Sequence, residues 1–318
     1  MGERPAPTDR MRLPAARAAT WVALAACTAL GLFDLSAIKL LFALGPLVVV
    51  PLALELLRWR SPRAERLRHV AGRLMPIGAL AVAASLPMSP GGAATALALP
   101  WFAVCGLVSL SGLIELFEVR RFQLVLMVRV IAAGYLTFGA GWLLLSRFGA
   151  QPLDFPDAIV ELTAVHFHFA GFAAPIIATA AAIHTGSTVA RRLALLGGVG
   201  VVTAMPVVAL GITTSLPLAA AGASFLGVSL TFVALGNATM LRRGELNRRP
   251  SVLLAMSSAS VVVAMVLAVQ YTFGQALGTP SLTIDQMART HGILNGAGFA
   301  LCGLLAWHAQ TRERARVR

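Results

Sequence analysis

Apolar residues come along this chain in blocks of about twenty, separated by short clusters of Arg, Pro, Gly and Asp. A block of that length crosses about 30 Å of hydrocarbon at about 1.5 Å per helical residue. The pattern predicts ten transmembrane helices, over residues 20–33, 36–57, 74–88, 93–117 and 128–146, then 158–184, 193–216, 218–240, 251–273 and 284–308. The first and third are short for a crossing, so either could be re-entrant. The expected fold is therefore an all-α polytopic bundle. A basic tail over 1–19 precedes a single membrane domain over 20–308, and a second basic tail covers 309–318.

Composition agrees: hydrophobic residues make up 58% and charged residues 12% of the 318 positions, against roughly 45–50% and about 25% in soluble domains. A net charge of +13 would suit nucleic acid, but the Arg residues form no stripe or aromatic-interleaved patch. They mark orientation instead, because basic residues in short loops stay on the cytoplasmic side. Arg4, Arg10, Arg12 and Arg17 precede the first predicted span; Arg58, Arg60, Arg63, Arg66, Arg68 and Arg73 follow the second. Others follow the fourth (Arg120, Arg121), sixth (Arg191, Arg192), eighth (Arg242, Arg243, Arg248, Arg249) and tenth (Arg312, Arg314, Arg316, Arg318). That places 22 of the 26 basic residues on one side. Both termini are expected in the cytoplasm, and an odd number of spans would break the agreement. The basic start and first apolar run also fit a signal peptide, whose cleavage would leave the other nine spans oriented as before.

Charge in hydrocarbon is costly, so ionisable residues inside spans are candidate site residues. Glu55, Glu115, Glu118, His184 and His308 lie near cytoplasmic ends, within reach of the interface. Asp34 and Lys39 flank the first hairpin. The informative set is Glu161, His166 and His168 in ELTAVHFHFAGF, with Asp285, Arg289, His291 and Asn295 in DQMARTHGILNGAGF. On a regular helix His166 and His168 point about 160° apart, so this HxH cannot chelate one metal by itself. Glu161 and His168 share one face of the sixth helix, and Thr163, His166 and Ala170 another; His291 and Asn295 share a face of the tenth. If those two helices are neighbours, the polar residues form one layer about 10–16 Å deep in the outer half of the bilayer. Gly292 and Gly296 form a GxxxG that permits close approach of another helix. Cys27, Cys105 and Cys302 lie in apolar segments with no metal-ligand spacing.

The segments TAVHFHFAGFAAPI and THGILNGAGFALCGLLAW resemble the YndJ-like family of bacterial membrane proteins. The resemblance covers the sixth and tenth spans. It implies a membrane domain with His166, His168, His291 and Asn295 as signature positions, and it supplies no substrate.

Three readings stay open on these residues. In a membrane-embedded enzyme or cofactor protein, His166, His168 and His291 would bind a metal ion or haem. Its metal-free form uses Glu161, His168, His291 and Asn295 as catalytic groups, with Glu161 and His168 as an acid/base pair on a small or lipophilic substrate. In a secondary transporter the polar layer would hold a solute or proton, with Pro46, Pro51, Pro175 and Pro206 permitting helix breaks. A non-catalytic subunit would bind a ligand or a second membrane chain there. No GxxxxGK[ST] or GxSxG is present, which sets aside P-loop and serine-nucleophile chemistry. Oligomeric state is not encoded legibly.

Overall fold

The computed structural model describes residues 9–30, 35–120 and 123–317, and their side chains from residue 18 to 313. Arg4, Asp34, Arg121, Arg318 and the last residues of the first predicted span lie outside the described residues. The side chains of Arg10, Arg12, Arg17, Arg314 and Arg316 do so as well.

Ten helices follow one another: α1 (Asp9–Ala29), α2 (Ala37–Leu56), α3 (Pro62–Ser85), α4 (Gly92–Val119), α5 (Leu124–Phe148), α6 (Asp157–His184), α7 (Thr188–Thr214), α8 (Leu216–Arg242), α9 (Arg248–Leu277) and α10 (Ile284–Glu313). Every regular element among the described residues is helical. Eight of the ten are long and apolar enough to cross a membrane. The other two are α1, whose apolar part is only Ala18–Ala29, and α3. They correspond to the two predicted spans that were short. The α3 helix begins well before its apolar run because Ser61 caps it, accepting from the Ala64 N–H at 3.2 Å, and Pro62 opens it. Its first half is therefore charged.

Sequence neighbours pack together: α3 along α4, α4 along α5, α7 along α8, and α8 along α9. The most enclosed helix is α6, 83% buried in its apolar window, against 28% for α9. Ala173, Ala174, Ala178, Ile176 and Ile177 on α6 are completely covered, and the three alanines let α2, α5, α7 and α10 come close.

Three helices carry wide π-helical turns: α2 at Gly45–Val49, α6 at Phe167–Ala173, and α10 at Ala288–Gly292 and Leu294–Leu301. Pro46 lies in the first and Pro175 just after the second. A proline lacks the N–H that closes an ordinary turn, and a widened turn absorbs the mismatch. The wide turns of α2, α6 and α10 touch one another. Phe169 of α6 sits between Gly45 of α2 and Gly296 of α10, about where a Cβ on either glycine would meet it, at 3.6 and 3.4 Å.

The Arg-rich connectors gather at one end of the bundle. Glu115 of α4 accepts from the backbone N–H groups of Arg60 and Ser61 at 3.0 and 2.8 Å, and Glu118 accepts from the Ser61 hydroxyl and pairs with Arg63. Glu115 thus satisfies the start of α3, which explains a carboxylate set inside its helix and 2% exposed. Glu245, between α8 and α9, accepts from Thr185 and the Gly186 N–H, and those donors with Arg243 hold its carboxyl below the usual range against the opposing effect of burial. His308 of α10 reaches the Leu52 carbonyl of α2 at 2.9 Å.

Candidate functional site

A cavity of about 230 Å³ opens in the half of the bundle away from the Arg-rich end. It lies between the first half of α6, the ends of α7 and α9, the starts of α8 and α10, and Leu41 of α2. Its wall is mainly Leu, Ile, Val, Ala, Met and Phe. The polar side chains on it are Thr163, His166, Tyr271, Thr272, His291 and Asn295, and no Asp, Glu, Lys or Arg lines it.

His166 and His291 bring α6 and α10 together, their ring centroids 6.3 Å apart and their planes 29° from parallel. His166 Nδ1 lies 2.7 Å from the Leu162 carbonyl one turn back. A carbonyl only accepts, so Nδ1 carries the proton and Nε2 keeps a lone pair. His166 Nε2 has no protein partner among the described residues. His291 Nδ1 is 2.8 Å from the Ala264 carbonyl of α9, which fixes the same tautomer. The Asn295 amide nitrogen, one turn on, stands 3.1 Å from His291 Nε2 and 3.3 Å from Nδ1. Gly292 and Gly296 face Leu41 of α2, so this GxxxG seats α10 against a leucine on the cavity wall.

The predicted division of α6 into two faces is found: Thr163, His166 and Ala170 line the cavity, and Glu161 and His168 do not. His168 is completely buried. Its Nδ1 donates to the Ala164 carbonyl at 2.7 Å, and its Nε2 accepts from the Trp101 indole at 3.0 Å, with the rings stacked. Both nitrogens are occupied. Glu161 pairs with Arg147 of α5 at 3.2 Å. Arg147, 1% exposed, also donates to the Ser85 and Met88 carbonyls and ties the α3–α4 connector to α5. The three-histidine metal set therefore does not assemble: His168 lies behind α6 from the other two, and among the described residues no three of His, Cys, Asp and Glu come together as metal ligands. Asp285 and Arg289 pair with each other at 2.8 Å on an exposed face of α10.

Sequence reasoning missed Trp101, Tyr271 and Arg147. The arginine did leave a signal, as one of the few basic residues far from the Arg-rich connectors. The other two looked like ordinary span aromatics.

These features define a multi-pass helical membrane protein with a ligand-sized, uncharged cavity and a histidine pair on its wall. Residues 40–299 match the YndJ-like protein family, and the chain belongs to that family. It is 26% identical over 281 residues to the "Uncharacterized membrane protein YndJ" of Bacillus subtilis (strain 168), an alignment covering 87% of this chain and 50% of the relative. The chain thus spans about half the length of that protein. No solved structure matches it.

Proposed function

We propose that this chain binds a lipid-soluble small molecule in the outer half of the bacterial cytoplasmic membrane and that His166 acts on it as a general base. In this reading α1 and α3 cross beside the eight long apolar helices, both termini and the Arg-rich connectors lie in the cytoplasm, and 20–308 is one membrane domain. The observation that carries it is the His166 ring, an exposed side chain on the wall of an apolar cavity, whose Nδ1 is held by Leu162 and whose Nε2 lone pair takes no protein donor among the described residues. A base fixed in tautomer by a backbone carbonyl is prepared to take a proton from a bound substrate. His291, held by Ala264 and faced by Asn295, is the second imidazole within reach of the same substrate. His168 and Glu161 serve as positioning residues on the back of α6.

Transport is supported less well. The half of the bundle nearer the Arg-rich end is packed, with Ile176, Ile177, Leu304 and Trp307 completely covered, and the wide turns keep their helices continuous. The test is incubation of protein in vesicles of total bacterial lipid, comparing wild type with a folded His166→Gln variant. Consumption of one lipid-soluble species and appearance of another in the wild type alone is expected. Identical extracts would refute catalysis by His166.

A further inference from the structure

The hydrogen-bonding groups on the cavity wall are sorted by role, and the sorting specifies the ligand's head group. At the level of the two imidazoles, nearly every protein donor is already given to a backbone carbonyl. His166 Nδ1–H goes to Leu162 and His291 Nδ1–H to Ala264, and the Thr163 hydroxyl donates to Ile159 at 2.7 Å. What is left there is a set of lone pairs: His166 Nε2, the second lone pair of Thr163, and the Asn295 side-chain oxygen, which takes no protein donor among the described residues. Thr272 likewise donates to its own helix. The donors that remain are one Asn295 N–H and the Tyr271 hydroxyl. Tyr271 is seven residues along α9 from Ala264, about 10 Å nearer the outer end.

An acceptor-rich floor accepts a ligand that donates. A carbonyl head would set its oxygen lone pairs against that of His166, and a carboxylate or phosphate would enter a wall with no cation. An ammonium head would donate but bring an uncompensated charge. A hydroxyl satisfies the floor and stays neutral. A metal ion would also seek lone pairs, yet the cavity offers no carboxylate to balance it and no set of three ligating His, Cys, Asp or Glu among the described residues.

We infer that the cavity selects a neutral lipophile carrying a hydroxyl group, a long-chain alcohol or hydroquinone, whose O–H donates to His166 Nε2 while its apolar body lies among Leu162, Leu226, Met265 and Phe299. This rests on the cavity being a lipophile site as proposed above. It names the head group and leaves the reaction open.

The test uses the whole chain in lipid nanodiscs, a diazirine-bearing dodecanol as photoprobe, and dodecanol, dodecanal and dodecanoate as competitors. Labelled peptides are mapped by mass spectrometry. Labelling is expected on cavity-lining residues of α6, α9 and α10, with dodecanol displacing the probe at about tenfold lower mole fraction than the aldehyde or the carboxylate, the worth of one hydrogen bond. His166→Phe keeps an aromatic ring and removes the acceptor. It should retain labelling and bring the three competitors to within about twofold of one another. If aldehyde or carboxylate competes as well as alcohol while the cavity is still labelled, the head-group assignment is overturned and the lipophile site stands. If label falls only on lipid-facing surfaces and no competitor displaces it, both fall. Stoichiometric transition metal in purified wild type, lost in His166→Phe, would assign the lone pairs to a cation and overturn the alcohol.

Discussion

Replacing Trp101 by Phe isolates the hydrogen bond that holds the back of α6. Trp101 and His168 are both completely buried, joined by the 3.0 Å indole-to-Nε2 bond, and Phe42 packs edge-on against the imidazole. Phe keeps an aromatic ring and deletes the donor, stranding Nε2 where water does not reach. An unsatisfied buried group costs about 1–3 kcal/mol, and the smaller ring leaves a void worth about 1 kcal/mol. Trp101→Phe should therefore destabilise by about 2–4 kcal/mol. His168→Leu strands the indole N–H instead and should cost a similar amount. The double variant leaves neither group unpaired, so its cost should fall short of the sum by the two stranded-group penalties, about 2–6 kcal/mol. The assay is equilibrium unfolding of detergent-solubilised protein in SDS, followed by circular dichroism, for wild type, both single variants and the double. Strict additivity, with coupling below about 0.3 kcal/mol, would show that the two rings do not depend on each other. It would also reopen His168 for a role in chemistry.

Arg147→Met should destabilise by about 2 kcal/mol by removing the buried ion pair and leaving Glu161 only the charge of Lys39 nearby, and Arg147→Met with Glu161→Leu should recover much of that loss in the same unfolding assay. Gly139→Ala would place a Cβ 2.7 Å from Phe167 Cβ and 3.0 Å from His168 Nδ1. It should cost about 1–3 kcal/mol, whereas Gly106→Ala, with nothing within 4 Å, should be neutral or stabilising by up to about 1 kcal/mol. At the Arg-rich end, burial alone would raise the Glu65 carboxyl. The Arg68 hydrogen bond, the Trp59 N–H and the Arg68 and Arg58 charges outweigh it and hold the group at about 2, below its ordinary 4.5. A depressed pKa contributes stability that is fully present above about 4.5 and is lost as pH falls toward about 2. Glu65→Gln should cost about 1 kcal/mol at neutral pH, given solvent screening, and the gap to wild type should close across that acid window in thermal melts. A gap that widens on acidification would reverse the assignment.

Much of the helix plan was legible because lipid imposes it. The predicted sixth span, 158–184, is found as Asp157–His184, and the two short spans fall on α1 and α3, the two helices outside the eight that are long and apolar enough to cross. The start of α3 was not legible from apolar runs, since its first turns carry Arg63, Glu65, Arg66 and Arg68; the signal lay in Ser61 and Pro62, a cap and a helix opener. The two faces of α6 were legible from helical phase. What joins them to other helices was not. His291 is held by a backbone carbonyl, at Ala264, and a carbonyl has no sequence signature. Trp101 meets His168 across 67 positions, and no local pattern links them. Arg129 shows the same limit: it donates to Thr179 and the Leu56 carbonyl, partners named only by the packing.

The wide turns connect these observations. A π-helical turn inserts one residue beyond the ordinary helical count, so side chains after it point in new directions while the helix goes on. On α6 the wide turn begins at Phe167, directly between the two histidines. His166 belongs to the ordinary turn that faces the cavity, and His168 to the wide turn that faces Trp101. On α10 one wide turn contains His291 and the next contains Asn295, bringing a residue from each to the same cavity wall. On α2 the wide turn lets Gly45 meet Phe169, while Leu41, one turn earlier, reaches Gly292. Each local departure from regular geometry thus falls where α2, α6 and α10 must mesh to hold two imidazoles face to face. Ordinary helix packing requires no such departures, and here four fall on three helices in contact. The wide turns of α6 and α10 place Phe169, Ala170, His291 and Asn295 on the cavity wall, and the wide turn of α2 packs against both.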